Sequence, residues 1–447
     1  MVNLNLKAFN ILLPLMLIST PLKATETLLS LYQAALNYDA QYKGVLANTQ
    51  ADKEEVEKAR ALFYPKVQLS GSVGRGNTDR TTQSISGAID SHINYNTKNF
   101  ALIVKQPLFN RETMATYKGA QALAKGKEFL LQSETLGLIT RVAKAYVELL
   151  YAEDKSTVTY NQIRALKQQL EQARKRYEHG SGTITEISEA QASLDIAQAD
   201  WVTAKNSVDA NRVTLSTMTG YEIGELAKLN PDKIATLNLG VESLDDWLNR
   251  AVNNNPEVIA AQYAVEVAEQ EVEKKQAGHY PTLDLVGARS YSENDSNNTI
   301  GAQFDTTTVA LQFNLPLYAG GYVNASVRQS LERVKAAQED LNLKTREINT
   351  NIKRYFQQMQ SEQLSIQAYR QAVKSSELAL DGISKSFTGG FRTNIDVLNA
   401  QQRLYENQLK LSQSYYVLVS DMVNIQHAAG QLNAAQLQEL NQFFDVN

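Results

Sequence analysis

Thr307-Thr308-Val309-Ala310-Leu311-Gln312-Phe313-Asn314-Leu315, closed by Pro316, alternates polar and apolar side chains through to Leu315. Period two marks a strand with two unlike faces. From Leu317 onward there is no proline, so the chain beyond is free to run as uninterrupted helix. The same switch occurs earlier in the chain. Asn99 to Lys105 alternates with one apolar exception, Ile103, and no proline intervenes between Pro107 and Pro231. Val67, Leu69 and Val73 alternate with Lys66, Gln68, Ser70 and Ser72, and Leu283 and Leu285 flank Asp284. These patterns predict four strands of about 10 residues, the length a tilted strand needs to cross an outer membrane. Polar stretches 74–98 and 292–305 read as loops joining them. Alternation alone would equally suit a sheet in a soluble domain.

The switch recurs because the chain is duplicated. Ala35-Leu36-Asn37-Tyr38-Asp39-Ala40 opens one copy and Ala251-Val252-Asn253-Asn254-Asn255-Pro256 the other. Tyr64-Pro65 recurs as Tyr280-Pro281, Pro107-Leu108-Phe109 as Pro316-Leu317-Tyr318, and Thr219-Gly220 as Ala429-Gly430. Glu186 recurs as Asp396, 210 residues on, too long a period for a solenoid unit. The predicted organisation is a signal peptide over 1–24, a first repeat over 25–220 with its hairpin at about 66–106, and a connection over 221–242. A second repeat follows over 243–430, with its hairpin at about 282–315, and then a C-terminal tail over 431–447.

Between the strands lie helices with a coiled-coil seam. Ile184, Ile187, Ala190, Leu194, Ala197 and Trp201 begin a series that steps by three or four residues to Met218. Its second copy runs from Val397 through Ala400, Leu404 and Leu418 to Ala428 and is more polar. Many seam positions are Ala, Ser or Asn, so the core of one hairpin is thin and further helices must pack alongside. The stretch from Arg111 to Tyr177 would span ~100 Å as helix, and Tyr322 to Phe387 is its counterpart. Each ends at glycine-rich punctuation, Gly180-Ser181-Gly182 or Gly389-Gly390, where glycine suits a left-handed cap. Thr183 or Thr393 then caps a second helix.

Composition narrows the function. Net charge is −4, with 43% hydrophobic and 21% charged residues, which argues against disorder and against non-specific nucleic-acid binding. Lys7, an apolar run from Phe9 to Ile18 and Ala24 read as a secretory signal; an uncleaved anchor is the alternative. There is no cysteine, hence no disulfide, thiolate metal site or thiol-linked lipid. The four histidines, His92, His179, His279 and His427, have no metal-ligand spacing, and Gly71-Ser72-Val73-Gly74-Arg75-Gly76 lacks the dinucleotide order. No cofactor, enzyme chemistry or nucleotide-driven step is expected. Export together with the strands favours the membrane reading. An open sheet edge in lipid leaves backbone groups unsatisfied, so four strands require oligomerisation. Three copies would give twelve strands with room for a lumen.

At this point the sequence resembles the TolC-type outer-membrane channels, trimeric exit ducts for drug efflux and type I protein secretion. The resemblance is carried by Pro107-Leu108-Phe109, Pro316-Leu317-Tyr318-Ala319-Gly320-Gly321, and the tips Gly180-Ser181-Gly182-Thr183-Ile184-Thr185-Glu186 and Gly390-Phe391-Arg392-Thr393-Asn394-Ile395-Asp396-Val397-Leu398. It implies a mixed α and β membrane protein. Four strands per chain contribute to a 12-stranded transmembrane barrel that continues into a periplasmic helical barrel of coiled coils. It also implies a homotrimer working with a periplasmic adaptor and an inner-membrane ABC exporter or proton-driven drug pump. By position, Arg392 matches the family's gate arginine, with Thr185 and Glu186 its partners. Phe387 stands where the family has a gate tyrosine, so that hydroxyl bond is lost. Asp396 matches a first acidic constriction ring, while Asn399 replaces the second aspartate. Three copies of Asp396 at a constriction would concentrate negative potential and capture cations; alone, Arg392 and Asp396 make an ordinary solvated i,i+4 pair. A secreted trimeric coiled-coil adhesin or structural protein is the alternative from a different class.

Overall fold

The strands are longer than the alternation predicts. In the computed structural model, which describes residues 25–235, 243–296 and 299–445, β1 spans Lys66–Ser84 and β2 spans Gly87–Phe109. The signal predicted over 1–24 and residues 236–242 of the predicted connection lie outside the described residues. In the second half β4 is Thr282–Ser296 and β5 Thr299–Asn314; β3, Lys228–Leu229, is a short strand elsewhere. The stretch 74–98, predicted as a loop, is therefore ladder on both sides of a tight turn, from Gly74↔Thr97 to Ser84↔Gly87. Much of 292–305 is likewise paired. Antiparallel ladders hold through backbone bonds whatever the side-chain polarity, so a largely polar stretch still pairs.

The four strands form one antiparallel sheet in the order β1-β2-β4-β5, leaving β1 and β5 as edges. Directly paired residues share a face. Val67↔Val104, Leu69↔Leu102, Leu285↔Leu311 and Leu283↔Phe313 build one apolar face. Gln68, Ser70, Ser72, Ser290, Thr306 and Thr308 stand on the other, which is mainly polar but also carries Ile103, Val286 and Phe304 and, further along β2, Ile89, Ile93 and Tyr95. The apolar side chains are left bare: Leu69 is 75% exposed and Val309 75%.

Helices α1 (Leu28–Tyr38) and α2 (Ala40–Arg60) precede β1, and α6 (Leu244–Asn254) and α7 (Pro256–Gln276) precede β4. Between β2 and β3 run α3 (Arg111–Glu178) and α4 (Ile184–Thr219), with α5 (Pro231–Ala235) just after β3. After β5 come α8 (Tyr322–Thr388), α9 (Asn394–Ala428), α10 (Ala434–Asn441) and the short β6 (Phe444–Asp445). With 68 and 67 residues, α3 and α8 are each about 100 Å long. Towards the sheet, α2 packs beside α3 and α7 packs against both α3 and α8. Away from it, α4 pairs with α3 and α9 with α8, and α9 also lies along α3. The predicted seam is the buried stripe: Ala190, Leu194, Ala197, Ala204 and Leu215 in α4, and Val397, Ala400, Leu404, Leu418 and Ile425 in α9. Ile184, placed on the seam by its spacing, is instead 60% exposed.

The thickest core lies midway, where α1, α3, α4, α9 and the C-terminal segment meet. Tyr146 is fully buried there, donates its hydroxyl to the Ala227 carbonyl at 2.7 Å and packs edge-on against Phe444. The segment after Gly430 folds back into this core, burying Leu432, Leu437 and Leu440, and β6 pairs with β3 of the connection. Asp421 sits in α9, only 5% exposed, with its Oδ2 lacking a hydrogen-bond partner. Burial, and secondarily the charge of Glu362, push its pKa up to about 6 against the opposing pull of Arg354. A raised folded-state value means the fold prefers the protonated form. The contribution of this group is fully present below about pH 4 and is lost as pH rises through 6, by up to about 3 kcal/mol. Asp421→Asn is expected to raise the thermal midpoint at pH 7.5, with the gain shrinking towards pH 4; an unchanged midpoint at pH 7.5 would refute the buried-charge penalty.

Candidate functional site

The far ends of the two long hairpins form the tip that the sequence points to. At the first, the chain leaves α3 through His179 and Gly180, and Ser181 donates its N–H back to the Arg176 carbonyl at 2.9 Å. At the second, Phe391 donates to the Ser386 carbonyl at 2.9 Å, the same closure 210 residues on. Thr183 accepts from the Glu186 N–H at 3.2 Å and so starts α4. Thr393 and Asp396 cap α9 reciprocally: the Thr393 N–H and hydroxyl donate to the Asp396 Oδ2 at 3.0 and 2.8 Å, and the Asp396 N–H donates to Thr393 Oγ1 at 3.4 Å.

Asp396 thus has a local task besides any role at a constriction. Its carboxyl is held below the usual range, first by the Thr393 N–H, then by the Thr393 hydroxyl, with a smaller pull from Arg392. The Arg392–Asp396 ion pair is loose, 4.0 Å between side chains 56% and 34% exposed, and counts for little in water. Within one chain Arg392 does not reach Thr185 or Glu186. Thr185 and Asn399 are exposed, and Glu186 is half-buried with its Oε2 shielded and unpaired. Phe387 lies under the guanidinium of Arg176, 4.5 Å from its ring centre, in a cation–π contact.

Two functional candidates were missed by sequence reasoning. Asn394 and Gln169 are 1% and 6% exposed, and the Gln169 amide donates to Asn394 Oδ1 at 2.5 Å. Asn394 in turn donates to the Glu186 carbonyl at 3.3 Å. One side chain therefore ties the start of α9 to both helices of the other hairpin. Beside it, Leu398 of α9 is buried in a small core with Ile163, Leu166, Leu170, Ala190 and Leu194. The signal for Asn394 was present: it lies 210 residues after Ile184, on the same seam.

Among the described residues no helix is long and apolar enough to cross a membrane. A sheet with two open edges, one apolar face and one polar face, continued by helices about 100 Å long, defines the class: an outer-membrane channel protein with a helical extension. Residues 31–221 and 247–438 each match the family described as outer membrane efflux protein, one match per repeat. The alkaline protease secretion protein AprF of Pseudomonas aeruginosa is 32% identical over 415 residues, covering 92% of this chain and 86% of that protein. The outer membrane protein TolC of Vibrio cholerae is 29% identical, covering 93% of each. The solved structure of VceC from Vibrio cholerae superposes with a TM-score of 0.74 at 22% identity, covering 90% of this chain and 96% of that one. The chain belongs to the outer membrane efflux protein family. It is an outer-membrane exit duct, and the adhesin alternative is set aside.

Proposed function

We propose that three copies close the sheet edge to edge, β5 of one copy against β1 of the next, into a twelve-stranded barrel continued by a periplasmic helical tube. The observation that carries this is the sheet itself: apolar on one face, polar on the other, with both edges open. The duct is passive. An inner-membrane ABC exporter or proton-driven pump drives it through a periplasmic adaptor that docks on the helical tips, where Phe391 is 87% exposed. Protein cargo is favoured, because the relatives at 32% and 28% identity are named for protease secretion; small-molecule efflux is the second cargo class. At rest the tips converge near Glu186, Arg392 and Asp396. Three Asp396 carboxylates make the constriction cation-selective, with Asn399 uncharged one turn further on.

Planar bilayers test this. Wild-type protein should give a small cation-selective conductance that divalent cations block from the helical side. Asp396→Asn removes the charge but leaves an amide oxygen to accept from Thr393, so the cap survives. The blocking concentration should rise about tenfold. Unaltered block in Asp396→Asn would remove Asp396 from the constriction while leaving the duct intact. A folded, inserted protein that never conducts, even with its tips opened by substitution, would end the channel reading.

A further inference from the structure

The polar face of the sheet is not electrically neutral. Lys66 and Lys105 are direct partners across β1 and β2, so both ammonium groups project from that face at the junction of strands and helices. Asp284, two residues from the partner of Lys105 on β4, pairs with Lys105 at 2.8 Å and is 13% exposed. Lys66 makes no ion pair among the described residues. By register, the only other charged residue on this face among the described residues is Arg80. The opposite face carries two ion pairs, Lys98 with Glu293 at 3.1 Å and Arg289 with Asp305 at 3.0 Å, together with Arg75 and Asp90.

Like charges directly opposite on neighbouring strands destabilise a sheet. Lys66 and Lys105 are therefore a cost to the fold, only partly relieved by Asp284. The junction is also held in place: the Gln106 amide donates to the Phe63 carbonyl at 2.8 Å, joining the end of the preceding helix to β2.

We propose that these residues form a basic collar lining the neck of the duct and that it attracts anionic cargo, specifically carboxylate-rich polypeptide segments. The inference rests on the trimeric reading above. In that assembly the neck carries six lysines against three Asp284 carboxylates. Rings of basic side chains favour anions, and a low-dielectric wall focuses their field into the lumen. The collar is opposite in sign to the Asp396 constriction. Acidic cargo would be opposed at the tip while that remains shut and drawn onward at the neck once it opens.

The test is single-channel recording with an oligoglutamate of about ten residues added on the barrel side. Transient blockades are expected for wild type at 0.05 M salt, with an on-rate about tenfold lower in the Lys66→Gln, Lys105→Gln double variant. The blockades should fade at 1 M salt, where screening acts within about 3 Å. Oligolysine of the same length should not block from that side. Lys66→Arg, Lys105→Arg should restore the block, which separates charge from any folding defect. Equal blocking of wild type and the glutamine variant, or equal blocking by oligolysine, would overturn the collar while leaving the duct standing. A wild-type protein without conductance, even with its tips opened, would instead remove the channel reading on which the collar rests.

Discussion

Asn394→Leu is expected to open the resting channel, raising its conductance several-fold while the assembly stays folded. Leucine shares asparagine's branched heavy-atom skeleton and adds apolar bulk beside the small core around Leu398, so packing there is not lost. What is lost is the pair of hydrogen bonds from α9 to Gln169 and to the Glu186 carbonyl. Gln169, 6% exposed, is left with an unsatisfied amide as long as the tip remains closed. Such a group costs about 1–3 kcal/mol, which shifts the closed-to-open ratio of each protomer roughly five- to hundredfold. Opening wets the amide and removes the penalty. The second arm of the prediction is sharper. Replacing both partners, Gln169→Leu with Asn394→Leu, removes the unsatisfied group and leaves an apolar contact that is near neutral or stabilising. The double variant should therefore conduct less than the single one. If the two conduct alike, the amide pair is not what holds α9 against the first hairpin.

That pair also shows where the sequence stops being readable. Seam spacing located the buried positions of α4 and α9 because coiled-coil cores repeat with side-chain size and polarity. The spacing does not say which copy faces inward. Ile184 and Asn394 occupy the same seam position in the two repeats, yet the isoleucine is 60% exposed and the asparagine 1%. The duplicated helices occupy different surroundings, since α9 packs on the first hairpin as well as on α8. Likewise the strand bases were legible because one face is apolar. The stretch 74–84 carries no apolar period, and the alternation of Ile89, Ile93 and Tyr95 with Asp90, His92 and Asn94 is diluted by polar residues, although the backbone of 74–98 pairs on both sides of its turn. At the tip, Thr393 and Thr183 cap as their position implies. The reciprocal use of Asp396 in that cap, and the guanidinium of Arg176 over Phe387, depend on side-chain geometry between elements that spacing does not encode.

Gly430→Ala should be the more damaging of two equivalent substitutions, the other being Gly220→Ala. Both glycines end a long helix at the same place in their repeat, with φ of +69° and +82°. Alanine in that left-handed region costs about 1–2 kcal/mol at either site. The surroundings then separate them. A Cβ on Gly220 would sit 2.6 Å from Cγ of Tyr38, a side chain 55% exposed and free to swing away. A Cβ on Gly430 would instead overlap the carbonyl oxygen of Asn254 and lie 2.8 Å from Cα of Asn255, both backbone. That backbone is fixed: Asn255 is 3% exposed, donates to the Ala428 carbonyl at 2.9 Å, and accepts from the N–H groups of Glu257 and Val258 to start α7. Overpacking against a rigid wall adds about 1–3 kcal/mol. Gly430→Ala should therefore lower the thermal midpoint and the yield of folded, membrane-inserted protein well beyond Gly220→Ala, measured side by side in the same detergent. Equal losses would mean that the left-handed backbone alone sets the cost and that the α6–α7 junction yields to the added methyl. A large loss confined to Gly430 would identify the contact between the end of α9 and that junction as the joint holding the second repeat's helices together.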